Sequence, residues 1–242
     1  MWNEDTGDRD YNLKIAEQTL SGSIDYLVSN SPATKECIIA DLGDMTEMDD
    51  YKNATPKSGH NLDVDARYGK VLTVVAKAMI NLVLKALEKH DIVHFINVEG
   101  NHDITTALAV RISVESYFHN EPRVHVNNSP KPIKYFQHGS TLIGLAHGDG
   151  LKMHGAGETM AVDNEQIFSS TKNRYFHFGH THKDSVHDGK LCRSESHRNI
   201  APLNHWASHA GYRRQLGTMK SITYCKRFGE KSRQLFNVEM LD

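Results

Sequence analysis

The sequence predicts an α/β (α+β) fold: two packed mixed β-sheets flanked by helices, in one domain over residues 1–242. Three observations predict it. Strand-like and helix-like segments alternate through the first half, the second half turns strand-rich, and no repeat, low-complexity tract or linker divides the chain. A chain of 242 residues is long enough for one sizeable core.

Tyr11, Ile15, Leu20, Ile24, Leu27 and Val28 recur at near-helical spacing, so residues 10–29 read as a helix that Ser29-Asn30-Ser31-Pro32 ends. Glu36–Asp41 is a short apolar run, a buried strand. Residues 45–66 are polar and hold Pro56 and Gly59; a loop this long is usually functional or mobile. Residues 68–89 read as an amphipathic helix. Lys77, Asn81 and Lys85 interrupt its apolar stretch Val71–Leu87 at i+4 spacing, which suits packing on a core and not a membrane span. Ile92–Val98 is the next strand. Asp103–Phe118 follows as a helix, with Asp103 and Thr105 placed to cap its start. Val124–Val126, Ile133–Gln137 and Thr141–Ala146 read as short strands between turns at 127–130 and 138–140. Glu158–Ser169 reads as a helix and Tyr175–Phe178 as a strand. Residues 183–218 lack periodicity, and Ser221–Tyr224 with Gln234–Val238 read as a closing pair of strands.

Charge is balanced, 28 Lys+Arg against 30 Asp+Glu with a net of -2, which argues against a strongly basic nonspecific nucleic-acid binder. The pairs Arg213-Arg214 and Lys226-Arg227 read first as solvated surface. Cys37, Cys192 and Cys225 are odd in number, far apart and without a C-x-x-C, which points to a reducing compartment and a cytoplasmic location. The polar, acidic residues 1–10 do not read as a signal peptide, and no membrane partner is expected.

Histidine is the compositional outlier, with 16 residues. Four motifs each end an apolar run: Leu42-Gly43-Asp44, Val98-Glu99-Gly100-Asn101-His102-Asp103, Ala146-His147-Gly148-Asp149 and Phe178-Gly179-His180-Thr181-His182. Strand ends are where the loops of an open sheet converge on one crevice. Carboxylate, amide and imidazole donors together, with no nearby Cys, suit a divalent transition metal. His180 and His182 share one side of an extended segment. Each residue alone has a plainer reading: Asp44 as a turn residue, Asn101 as a helix cap, His147 as a hydrogen-bonded core histidine. Asp149 reads as a turn or supporting residue, Glu47 and Asp49 as a solvated loop, and His94, His119, His125, His138 and His187 as structural or surface residues.

The four motifs in this order resemble the calcineurin-like metallophosphoesterase superfamily. The wording of Asn61–Arg67 and His205–Arg213 is nearest to phage-encoded phosphoesterases related to DNA-repair exonucleases. The resemblance implies a four-layer sandwich and two divalent ions, Mn²⁺ first among Zn²⁺, Fe²⁺, Ni²⁺ and Mg²⁺. It implies a phosphodiesterase or exonuclease acting on nucleic acid or nucleotides, cytoplasmic within the host cell if phage-encoded. Two ions roughly 3.5–4 Å apart can neutralise a phosphate and activate and orient a water for in-line attack. By the family pattern Asp44 bridges both ions. Asn101, His147 and His180 complete the second ion, and His182 reaches the first. His102 points toward the leaving-group oxygen as general acid or electrostatic stabiliser, and Asp103 holds its ring orientation and tautomer. His209, Arg213 and Arg214 (with His205) are candidates for lining a substrate groove. A homodimer or a partner subunit is compatible with the pattern but not indicated by it.

One part of the family pattern is absent. The superfamily begins with a strand ending in Asp-x-His, which supplies ligands to the first ion, and no Asp-x-His occurs in this chain. The favoured expectation is that the first strand is missing from the sequence. Beside it stand a naturally short protein with one ion or with Asp8 or Asp10 as substitutes, and an inactive relative that binds without cleaving. Asp41-Leu42-Gly43 is rejected as a degenerate Asp-x-His, because that would leave Asp44 without a role. A phosphomonoesterase (nucleotidase or protein phosphatase) is the other enzymatic reading. Against a protein phosphatase, no Arg follows Gly43-Asp44 within Met45–Asp49, and Asp103 rather than Glu follows His102.

Overall fold

Helices and strands follow one another as the periodicities require. The computed structural model describes residues 11–62, 64, 66–202 and 216–241. Helix α1 (Leu13–Asn30) starts at Asn12, whose side-chain oxygen accepts from the Lys14 and Ile15 N–H groups at 3.0 Å each. It stops where Ser31 donates back to the Leu27 carbonyl and Pro32 cannot continue the helix. Strand β1 (Glu36–Asp41), helix α2 (Tyr68–Leu87), strand β2 (Ile92–Asn97), helix α3 (Ile104–Phe118) and strand β3 (Val124–Val126) follow. The three strands lie in the order β1-β2-β3 and are parallel throughout, so each helix is the crossover that a parallel pair needs.

The second half builds a five-stranded sheet in the order β4-β5-β6-β8-β7. Its strands are β4 (Lys134–His138), β5 (Thr141–Ala146), β6 (Asn173–Phe178), β7 (Ser185–Asp188) and β8 (Arg193–Ser196). The sheet is mixed: parallel from β5 through β6 to β8, antiparallel at both margins. Helices α4 (Ala156–Asp163) and α5 (Glu165–Ser170) connect β5 to β6. Strands β9 (Thr218–Cys225) and β10 (Gly229–Asn237) form an antiparallel ribbon.

Alternation along the strands sorts the apolar residues into three layers of core. Val93 and Phe95 pack on Met79 and Val83 of α2 and on Val110 and Val114 of α3. Ile96 and Val98 turn the other way and meet Ile143 and Leu145 of β5, so the two sheets face each other. Leu142, Phe176 and Phe178 cover the far side against Ala156 and Met160 of α4. The order is helices, sheet, sheet, helices. Among the described residues no helix is long and apolar enough to cross a membrane.

Three expectations change. The helix read over Glu158–Ser169 is broken at Asn164 into α4 and α5. Within residues 183–218, read as lacking periodicity, β7 and β8 pair across a tight connection at Gly189. The side chains of Asp103 and Thr105 do not cap α3. Asp49 does, accepting from the Thr105 N–H at 2.8 Å and the Thr106 N–H at 2.6 Å. A carboxylate read as part of a solvated loop is thus a cap supplied from another segment.

Candidate metal centre

β1, β2, β5 and β6 all deliver their carboxyl ends to one side of the sandwich, because β1 is parallel to β2 and β5 is parallel to β6. The loops that follow them carry Asp44, Asn101, His147 and His180. The Nε2 atom of His147 lies 3.0 Å from Asp44 Oδ2, 3.1 Å from Asn101 Oδ1 and 3.2 Å from His180 Nδ1.

These contacts do not close as hydrogen bonds. His147 Nδ1 is 2.7 Å from the Leu42 carbonyl oxygen, which only accepts, so that nitrogen carries a proton. Nε2 then offers one lone pair or, if the ring is charged, one proton to three neighbours. A carboxylate oxygen, an amide oxygen and two imidazole nitrogens bring lone pairs to one point. A divalent cation satisfies all four at once. Bonds of about 2.0–2.2 Å place adjacent ligand atoms roughly 3.0–3.4 Å apart, the spacing found here. The donor set therefore fits a divalent ion, and the Nδ1–H bond to Leu42 fixes His147 in the tautomer a ligand needs.

The backbone is bent to reach this geometry. Asp44 (φ 58°), His180 (φ 61°) and His182 (φ 53°) lie in the left-handed region, where a residue with a Cβ is strained. Glycines let the loops close. A Cβ on Gly43 would stand 2.6 Å from the Gly100 nitrogen, one on Gly100 would stand 2.2 Å from Asp44 Oδ1, and one on Gly179 would stand 2.9 Å from the Leu42 carbonyl.

Electrostatics follow from this packing. Burial alone disfavours charge on Asp44 and on His147, but their mutual contact outweighs it. The Asp44 carboxyl is held below its usual range and the His147 imidazole above its own. His180 is lowered, by burial first and then by the neighbouring His147. Asp41, half-buried at the end of β1, is pushed up to about 7 by desolvation and then by the Asp103 charge. Its Oδ1 accepts from the Gly43 N–H at 3.1 Å.

The other expected residues fall as follows. His182 is open to solvent and stands outside the four-donor group, with Asp44, His147 and His102 as its electrostatic neighbours. The His102 backbone N–H donates to Asp44 Oδ1 at 2.8 Å, and its ring Nδ1 is enclosed without a hydrogen-bond partner. The expected grip of Asp103 on that ring is not what the structure has. The Asp103 carboxylate accepts from the Met45 N–H (2.7 Å) and the Gly100 N–H (2.8 Å), tying the two loops together. His209, Arg213, Arg214 and His205 lie outside the described residues. So do Asp8 and Asp10.

A second group of His and Glu, missed in the sequence, offers ligand atoms equally close together: His177, Glu195 and His197. Two separate groups thus bring ligand atoms close enough together to be candidates for a divalent metal. His177 sits in the same strand as Phe178, one residue from the recognised motif. Its partners come from β8 and from the residue after it, a segment without an apolar signal. No family model matches the sequence, and no curated protein matches it.

Proposed function

We propose that the chain is a metal-dependent phosphoester hydrolase of the calcineurin-like kind, a phosphodiesterase or exonuclease acting on nucleic acid or nucleotides in the cytoplasm. The observation that carries this reading is the meeting of Asp44, Asn101, His147 and His180 around one point at the carboxyl ends of four strands. One carboxylate and three neutral donors leave a divalent ion with net positive charge, which is what an anionic phosphate requires. The ion supplies charge neutralisation and water activation. Oxygen and imidazole donors without sulfur suit a first-row divalent ion, and Mn²⁺ is the one proposed.

The chain's own residues do the rest. Asp44 Oδ1 is fixed by the His102 N–H, so the carboxylate cannot rotate away from its neighbours. Asp103 clamps the Asp44 loop to the Asn101 loop. His102 stands beside Asp44, its backbone N–H on the Asp44 carboxylate, and is proposed as the proton donor to the leaving group. His209, Arg213 and Arg214 are proposed for the substrate side.

One observation favours a second reading, a protein that binds a single ion without efficient cleavage: His182 stands apart from the four donors. Hydrolysis of bis-p-nitrophenyl phosphate with Mn²⁺ separates the two. The expected result is turnover that EDTA abolishes, that Asp44→Ala eliminates, and that His102→Ala lowers by about 100-fold or more. Mn²⁺ uptake with no turnover of this ester under any divalent ion would establish the binding reading. No uptake of any ion would defeat both.

A further inference from the structure

The loop that carries His180 and His182 is held in a conformation that it would not adopt alone. The Thr181 N–H donates to the Gly179 carbonyl at 2.7 Å, closing a three-residue turn around His180 at positive φ. Turns of that sense are the rare, strained kind. His182 is left-handed as well. Strain of this sort persists only where the surroundings over-determine it.

The fasteners are identifiable. On the metal side, the Gly179 N–H donates to the His147 carbonyl at 3.0 Å. On the far side, Ser196 Oγ donates to the Lys183 carbonyl at 2.7 Å. Asp184, two residues after His182, is gripped by Lys220 Nζ at 2.7 Å and faced by Arg198 Nε at 3.5 Å. Lys220 comes from β9 and is itself largely buried. Its ammonium also donates to Glu195 Oε1 at 3.0 Å, and Arg233 of β10 forks the two oxygens of Glu195 at 2.9 and 3.1 Å. A continuous run of charge therefore links the ribbon, strand β8 and the histidine loop.

Behind Glu195 lies the His177–His197 pair, and here the hydrogen bonds close without a metal. Tyr224 O–H can donate to His177 Nε2 at 2.8 Å, and His177 Nδ1–H to His197 Nε2 at 2.9 Å. His197 Nδ1 then faces Glu195 Oε1 at 3.8 Å. Both rings are neutral in this scheme, and three of their four ring nitrogens are hydrogen-bonded. A divalent ion placed there would find two imidazoles and a carboxylate already engaged by two cations.

We infer that Lys220 is a positioning residue that, through Asp184, holds the strained loop presenting His180 to the metal, and that the His177–Glu195–His197 group anchors this strut and is not a second metal site. The inference rests on the metal reading of the Asp44 group. Outer-shell partners that orient ligands typically change metal affinity by about 10–100-fold when removed.

The test uses the full chain, Mn²⁺ titration calorimetry, metal content by elemental analysis, and the visible absorption of the Co²⁺-loaded protein. Lys220→Met is expected to weaken Mn²⁺ binding by about 10–100-fold and to alter the Co²⁺ bands, with Lys220→Arg recovering most of both. His177→Gln is expected to leave the number of bound ions unchanged. Should Lys220→Met fail to fold, Asp184→Ala, at the more exposed end of the pair, carries the same expectation. Wild-type affinity and bands in the loop-releasing variant would overturn the positioning role. Loss of one bound ion in His177→Gln would overturn the anchor. A wild type that takes up neither ion overturns the metal reading together with this one.

Discussion

Gly100 couples backbone packing to the donor set more tightly than any ligand does. Its missing Cβ is the space that Asp44 occupies: a methyl there would lie 2.2 Å from Oδ1 and 2.3 Å from the Asp44 nitrogen. Neither atom can yield cheaply, since Oδ1 accepts from the His102 N–H and the backbone of Asp44 is already left-handed. Gly100→Ala is therefore expected to destabilise the fold by about 1–3 kcal/mol and to weaken Mn²⁺ by on the order of 10–100-fold. Urea denaturation and metal titration on one preparation check this, and unchanged metal affinity would show that the loops can separate without loss of the site. That Asp44, Asn101, His147 and His180 converge was legible in the sequence because each follows a strand and sits beside a glycine. The residues that hold them were not. Asp103 was visible, but its partners Met45 and Gly100 are set by how two loops meet, and Asp184 finds Lys220 at a separation of 36 residues.

At the scale of the element, α3 illustrates what periodicity can and cannot locate. The helix was read one residue early because Asp103 resembles an N-cap, and its oxygens instead serve the two site loops. The free N–H groups of its first turn go to Asp49, which also accepts from the Thr106 hydroxyl at 2.9 Å. A negative charge at a helix N-terminus is favourable twice over, through hydrogen bonds and through the helix dipole. Asp49→Ala is expected to cost about 1–2 kcal/mol, seen as a lower urea midpoint at constant slope. Because Asp49 and Asp44 belong to the same connection, the substitution also loosens the segment between β1 and α2. An unchanged midpoint would mean that solvent satisfies these N–H groups equally well. The strands that escaped notice did so for a related reason. β7 is exposed along its whole length, and β8 buries Ser194, Glu195 and Ser196, so neither shows apolar alternation. Polar burial of that kind is intelligible only once Arg233 and Lys220 are seen against Glu195.

Over the whole molecule, the buried titratable groups set opposing dependences on pH. Burial, then the mutual proximity of the rings, pushes His177 down to about 3; burial likewise brings His197 to about 4. A histidine that stays neutral in the fold but takes a proton when unfolded lends stability fully above its unfolded value near 6.5, and loses it as pH falls toward the folded value. Each such group changes stability by at most about 1.4 kcal/mol per pH unit, so the pair removes at most about 4 kcal/mol between pH 6.5 and 5. Asp41 works the other way. Its folded value of about 7 lies above the unfolded one, so the fold takes up a proton first and gains stability as pH falls from 7 toward 3.8. Glu195, held at about 2 by Arg233 and Lys220 against the opposing effect of its burial, titrates outside this window and contributes loss only below about 4.5. From these three groups, the metal-free wild type should therefore lose modest stability from pH 7 to 5, because the two descending contributions exceed the ascending one. Asp41→Asn should steepen that loss by removing the offset. His197→Gln, which keeps an oxygen to accept from His177 Nδ1, should flatten it or reverse it. Urea midpoints at pH 7 and 5 for the three proteins in EDTA decide the matter. Parallel slopes in all three would show that these groups keep their ordinary values, and that the inter-sheet space is wetter than its packing implies.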